Sequence, residues 1–276
     1  MTRTNSTMLA WLGVAAVCVA LGTPVLAQPG PGQITASFSD PARPGLLQVT
    51  LTFGSITITG TNRSDVLIDV TPGTEPVGRP DDDAAAAGLR RLTPPVGFSV
   101  EEEDNVMRVG ARPYPGTAFD IEVPASTNLR LTTTMGDIGV EGVDGDLEVN
   151  AVNGGVTLTA VAGSVVAHSV NGRVLVTLTR VTADQPMAFT SVNGAIDVTL
   201  PATVQANLTL RSDRGDVFTD FDLQLTALPT AVETSRPGRG RVRAVGNTVI
   251  TGTVNGGGPD IEMRTVNGNV YVKKGP

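Results

Sequence analysis

The tripeptide Val-Asn-Gly occurs five times in this chain, at Val152-Asn153-Gly154, Val170-Asn171-Gly172, Val192-Asn193-Gly194, Val254-Asn255-Gly256 and Val266-Asn267-Gly268. The residues that follow repeat too: a spacer, an apolar residue, any residue and a second apolar residue, as in Arg173-Val174-Leu175-Val176. Asn-Gly suits tight turns because both residues tolerate positive φ, so Gly172 and Gly194 are expected at positive-φ corners. A turn signal that recurs at near-constant spacing implies one unit stacked on copies of itself.

The glycine column is wider than the tripeptide. Gly136, Gly145, Gly154, Gly163 and Gly172 are nine residues apart, and each leads an apolar pair, from Ile138/Val140 to Val174/Val176. Gly194 leads Ile196/Val198, Gly215 leads Val217/Thr219 and Gly268 leads Val270/Val272. Period-two alternation puts each pair on one face and turns Thr157, Asp197 or Tyr271 to the other. A hairpin meander and a solenoid both fit alternation. Only a two-corner coil explains why the full signal recurs at every second glycine, with different corners at Asp144-Gly145 and Ala162-Gly163 between. The pattern therefore favours an all-β fold, a right-handed parallel β-solenoid (β-helix) with coils of about 18–22 residues. Val156, Val174 and Ile196 are expected to stack inward as a buried ladder.

The first 27 residues read as an export signal, with Arg3 before the apolar run Met8 to Leu21 and small residues Val25 and Ala27 at the cleavage point. Val17 before Cys18 argues against a lipoprotein signal, so the mature chain has no cysteine for disulfides or thiolate metal sites. Without Arg3 it carries 19 basic and 27 acidic residues, a net of −8, which disfavours nucleic acid as a partner. No later apolar stretch reaches the length of a membrane span, so no transmembrane segment is expected after cleavage. Residues 28–45 read as a flexible Pro/Gly-rich lead, and 46–276 as one β-solenoid domain. An insertion near 71–95 carries Asp81-Asp82-Asp83 and a short helix from Ala84 to Leu92. Aromatic residues are only 4% of the chain, so the core must be aliphatic.

Thr134-Met135-Gly136-Asp137-Ile138, the Val-Asn-Gly coils, Leu200-Pro201-Ala202 and the closing run Val254 to Val272 together resemble a bacterial exported putative-adhesin family. That family is a domain of unknown function, and the resemblance covers about Leu47 to the C-terminus. It implies a β-solenoid and surface adhesion. No catalytic or binding residues are defined for the family, so none carries over.

The candidate chemistry is sparse. Arg214-Gly215-Asp216 matches an integrin-binding tripeptide, yet Gly215 sits in the glycine column and turn chemistry accounts for it. Asn255 to Asp260 holds a single Gly-rich run, whereas calcium-binding repeats need it in tandem. Glu101-Glu102-Glu103-Asp104 and Asp81-Asp82-Asp83 could offer oxygen ligands, but like charges in loops are usually solvated. Arg236, Arg239, Arg241 and Arg243 form a basic cluster suited to oxyanions. His168 is the single histidine. An enzymatic solenoid would need a convergent cluster. Asp197, Glu148 and Arg173 are candidates for one face, and the only lysines are Lys273 and Lys274.

The sequence thus points to a non-catalytic, exported cell-envelope scaffold for an envelope or surface glycan or protein, in the periplasm or at the cell surface. No cofactor, metal or catalytic residue is expected. A periplasmic accessory or signalling partner is the alternative, and a pectin-lyase-like enzyme the third reading. The positions assigned are structural: Asn153, Gly154, Asn171, Gly172, Asn193, Gly194, Gly215, Asn255, Gly256, Asn267 and Gly268, all as turns.

Overall fold

A computed structural model describes residues 33–71, 73, 98–111, 116–227 and 248–275. The expected signal, the Asp81–Asp83 run, the expected helix Ala84–Leu92 and the arginine cluster 236–243 lie outside the described residues. Among those described, every regular element is a strand. The first seven are β1 (Gln33–Ala36), β2 (Leu46–Phe53), β3 (Ser55–Thr61), β4 (Val66–Thr71), β5 (Phe98–Glu103), β6 (Val106–Ala111) and β7 (Ala118–Pro124). Then come β8 (Asn128–Met135), β9 (Ile138–Glu141), β10 (Leu147–Asn153), β11 (Val156–Gly163), β12 (Val165–Ser169), β13 (Val174–Val181) and β14 (Met187–Asn193). The last are β15 (Ile196–Pro201), β16 (Ala206–Ser212), β17 (Val217–Thr219), β18 (Gln224–Ala227), β19 (Thr248–Val254), β20 (Asp260–Asn267) and β21 (Val270–Gly275).

Two sheets enclose one core. The ten-stranded sheet runs β1-β4-β7-β3-β9-β11-β13-β15-β21-β17, and the eleven-stranded sheet β18-β19-β16-β20-β14-β12-β10-β8-β2-β6-β5. One strand from each sheet makes a coil. The coils stack as β6/β7, β2/β3, β8/β9, β10/β11, β12/β13, β14/β15, β20/β21 and β16/β17. At about 4.8 Å per coil the stack is roughly 35–40 Å long. Successive coils pair in parallel, as Val174 with Ile196 and Ile196 with Val270.

The stack does not follow chain order. The first coil, β2/β3, lies between β6/β7 and β8/β9, and the last, β20/β21, between β14/β15 and β16/β17. Antiparallel pairing is confined to the two ends, at β1/β4, β4/β7 and β5/β6, and at β16/β19 and β18/β19. Folding the chain back covers coil edges that would otherwise present unpaired backbone groups to another molecule. Strand β1 belongs to the stretch expected as a flexible lead. Nearby, Asn105 accepts from the Asp40 amide at 2.8 Å, and Phe38 is buried.

Alternation sets the core. Ile56, Ile138, Val156, Val174, Ile196 and Val270 are in register and fully buried, as the ladder required. Leu47, Leu129, Leu147, Val165 and, farther along, Ile261 face them from the other sheet. Valine, isoleucine and leucine fill most of the thin interior, but not all of it: Phe119 and Phe189 are fully buried too, so the expectation of a purely aliphatic core is corrected. Burying each such side chain contributes about 1.5–3 kcal/mol.

The glycine column works differently from the expected one. Neither Gly172 nor Gly194 has positive φ, and Gly154, Gly215 and Gly268 do not either. They are needed for close approach. A Cβ on Gly154 would stand 1.9 Å from the Gly136 carbonyl oxygen, on Gly172 2.0 Å from that of Gly154, and on Gly194 2.0 Å from that of Gly172. Gly268 and Gly215 continue the column against Gly194 and Gly268. Only at Asn255-Gly256 does the tripeptide form the positive-φ turn, with φ of 50° and 92°.

Two ladders line this corner. Asn171 donates to Asn153 (2.8 Å), Asn193 to Asn171 (2.7 Å), Asn267 to Asn193 (2.6 Å) and Arg214 to Asn267 (3.0 Å). Inside, buried hydroxyls satisfy the glycine carbonyls: Ser169 to Gly154, Ser191 to Gly172, Thr265 to Gly194 and Ser212 to Gly268, at 2.8–3.0 Å. The coils from β10 to β15 and β20/β21 thus repeat a small side chain, an asparagine and a glycine, each serving its own stacking contact.

Candidate functional site

The outward column of the ten-stranded sheet starts from inert residues and ends in chemistry. In register, Leu175 of β13 neighbours Asp197 of β15, Asp197 neighbours Tyr271 of β21, and Tyr271 neighbours Phe218 of β17. One rung along, Thr177, Thr199 and Lys273 form the next outward column. Arg173 enters from the corner before β13.

Asp197 is the centre. Although on the outer face, its side chain is only 3% exposed. Its Oδ2 accepts hydrogen bonds from Arg173 Nη2 and from Lys273 Nζ, the latter at 2.8 Å. Its Oδ1 is buried and has no hydrogen-bond partner among the described residues. The Lys273 ammonium also sits 5.7 Å from the centroid of the Tyr271 ring, a cation–π distance. Tyr271 and Phe218 stack with centroids 5.2 Å apart and planes 11° from parallel, and Phe218 is 47% exposed. The Tyr271 hydroxyl accepts from Asn269 Nδ2 at 2.9 Å. Arg173, Ala195, Asp197, Tyr271 and Lys273 line an open pocket of about 380 Å³.

Of the three residues proposed for one face, Arg173 and Asp197 meet. Glu148 does not: it lies on the eleven-stranded sheet, where Arg130 Nε donates to it at 2.8 Å. His168 is on that same sheet, its Nδ1 2.6 Å from Thr190 Oγ1. Sequence reasoning missed Tyr271 and Lys273 as neighbours of Asp197, and Phe218 as the ring stacked on Tyr271. Lys273 is 76 residues from Asp197, and nothing in the local repeat says that β21 stacks on β15.

Two other candidates among the described residues sit in turns and rungs of the stack. Arg214-Gly215-Asp216 is a rung of the glycine corner: Arg214 extends the asparagine ladder, and the Asp216 amide donates to Asn269 Oδ1 at 2.9 Å. Glu101–Glu103 ends β5, and Asp104-Asn105, with φ of 52° and 68°, turns the chain into β6. There the Glu102 carboxylate accepts from the Ser39 and Asn105 amides, and those bonds, Ser39's foremost, hold its pKa below the ordinary glutamate value. Among the described residues no group of His, Asp and Glu side chains is arranged to hold a metal ion. No helix among them is long and apolar enough to cross a membrane.

Two solved structures are similar in outline. One is a putative cell adhesion protein from Clostridium sporogenes, with 10% identity over 89% of this chain and 100% of that one, at a TM-score of 0.43. The other is a putative adhesin from Bacteroides fragilis, with 15% identity over 90% and 99%, at a TM-score of 0.38. No curated protein matches the chain. The model of the family described as Toastrack DUF4097 matches residues 47–273, which takes in both the repeated coils and the Asp197 pocket, and the chain belongs to that family.

Proposed function

We propose that this chain is a non-catalytic, exported cell-envelope scaffold that binds a glycan or protein partner on the outer face of its ten-stranded sheet. The observation that carries the reading is the Asp197 pocket. It sets Tyr271, backed by the half-exposed Phe218 ring, beside two exposed cations that both hold one carboxylate. A carboxylate so held is poorly placed to exchange protons with a substrate, because each transfer would have to displace its ion pairs. Stacked coils give the pocket a rigid floor, which lowers the ordering cost of binding. The amino-terminal signal read in the sequence supports export.

Crosslinked pull-down from fractionated native envelope tests the reading, paired with turnover assays on envelope polysaccharides. Capture of a partner without turnover supports it. Turnover that disappears in Asp197→Asn, with the fold intact, would replace it by the enzymatic reading, since Arg, Lys, Asp and Tyr are also groups that serve polysaccharide cleavage.

A further inference from the structure

We infer that the Arg173–Asp197–Tyr271–Lys273 pocket takes a carboxylate-bearing sugar, a uronate unit of an acidic polysaccharide. The inference rests on the scaffold reading and names its ligand. Three observations converge. First, Arg173, Lys273 and Asp197 sum to one positive charge in a chain of net charge −7, so the pocket favours an anion of single charge where most of the surface does not. The side chains of Arg173 and Lys273 are 55% and 51% exposed, which leaves donors facing the pocket beyond those spent on Asp197. A guanidinium beside an ammonium suits a carboxylate.

Second, Asp197 Oδ1 is an acceptor removed from water with nothing donating to it. An acceptor left without a donor is unfavourable, and a ligand hydroxyl that reaches it as the exposed Arg173 and Lys273 side chains shift would supply one. Inorganic phosphate brings up to two negative charges to set against Asp197 and has no apolar face. A uronate carries a carboxylate and hydroxyls on one ring. Third, Tyr271, backed by the stacked Phe218 ring, gives the pocket an aromatic wall beside which the C–H face of a sugar can lie, and small Ala195 leaves room for it. The occupant that matches all three has one negative charge, a neighbouring hydroxyl and an apolar face.

The test titrates the full chain with trigalacturonate, its fully methyl-esterified form and inorganic phosphate, using calorimetry. The acid should bind with Kd below about 1 mM, the ester at least tenfold more weakly, and phosphate should not displace the acid. Lys273→Gln keeps the Arg173–Asp197 pair and should weaken binding of the acid about tenfold. Tyr271→Leu should do the same, and both should keep the melting temperature close to that of the parent. Equal binding of acid and ester, displacement by phosphate, or unaltered affinity in both variants would overturn the assignment. Capture of envelope material by a chain that ignores trigalacturonate would sink this ligand and leave the scaffold reading standing. Cleavage of trigalacturonate would remove the scaffold reading itself.

Discussion

Gly194→Ala isolates the reason for the glycine column. The φ of Gly194 is one that alanine accepts, so conformational strain is not at issue. The new Cβ would lie 2.0 Å from the Gly172 carbonyl oxygen and 2.5 Å from its carbon, more than 1 Å inside ordinary contact. Both backbones are pinned. Asn193 N donates to Val170 O at 2.8 Å, Val174 N to Ala195 O at 3.0 Å, Ser191 Oγ to Gly172 O at 3.0 Å and Asn193 Nδ2 to Asn171 Oδ1 at 2.7 Å. Relieving the clash must stretch two or three of these bonds, each contributing about 0.5–1.5 kcal/mol. Overpacking elsewhere costs a similar sum. We expect a loss of about 3 kcal/mol, seen as a fall in melting temperature of roughly 6–12 °C for a domain of this size. Gly139→Ala is the control, because its Cβ would meet nothing within 4 Å and its φ is ordinary. It should be neutral or gain a few tenths of a kcal/mol through the unfolded chain, about 0.4–1 at most. Circular dichroism melts and urea titrations of both variants decide the matter. If Gly194→Ala melts like the parent, or Gly139→Ala falls as far, close approach is not what the column provides.

Ser191→Ala should cost about 1 kcal/mol by leaving the Gly172 carbonyl without its hydroxyl partner. Ala151 occupies the equivalent rung, between Thr133 and Ser169, so Ala151→Ser should gain roughly 0.5–1 kcal/mol by urea titration. Ile196→Ala removes a fully buried rung and should cost about 2–4 kcal/mol by the same measurement. Glu102 has a folded-state pKa below its ordinary value, so its contribution is present above that ordinary value and is lost as pH falls through the folded one. Protection of the Ser39 and Asn105 amides, measured against their intrinsic exchange rates, should therefore fall once pH drops below the ordinary glutamate value, and Glu102→Ala, which removes the acceptor, should show that low protection already at neutral pH.

The repeat determined a good deal by itself. Alternation of apolar residues dictates which side chains face inward, and it does so locally, because successive residues on a strand point to opposite faces. Ile138, Val156, Val174 and Ile196 are buried for that reason alone. The recurrence of Asn and Gly fixed where coils turn. It did not fix how: Asn255-Gly256 makes a positive-φ turn, whereas Asn171-Gly172 and Asn193-Gly194 make crowded corners, and the same dipeptide serves both. The difference lies in a neighbouring coil's carbonyl, which local sequence does not contain.

Stacking order was decided only in three dimensions. Every coil exposes the same backbone edge and a similar apolar pair, so the repeat pattern fits any coil onto any other. What places β21 beside β15 is the insertion of the β20/β21 coil between β14/β15 and β16/β17, with β16 and β17 pairing in parallel on its far side and β18 and β19 adding antiparallel strands beyond β16. The pocket depends on that choice. If coils stacked in chain order, Asp197 would adjoin Phe218 and never meet Lys273 or Tyr271. A buried carboxylate with two cations and an aromatic pair is thus a product of long-range topology, assembled from residues whose types the sequence displayed but whose meeting it did not encode locally.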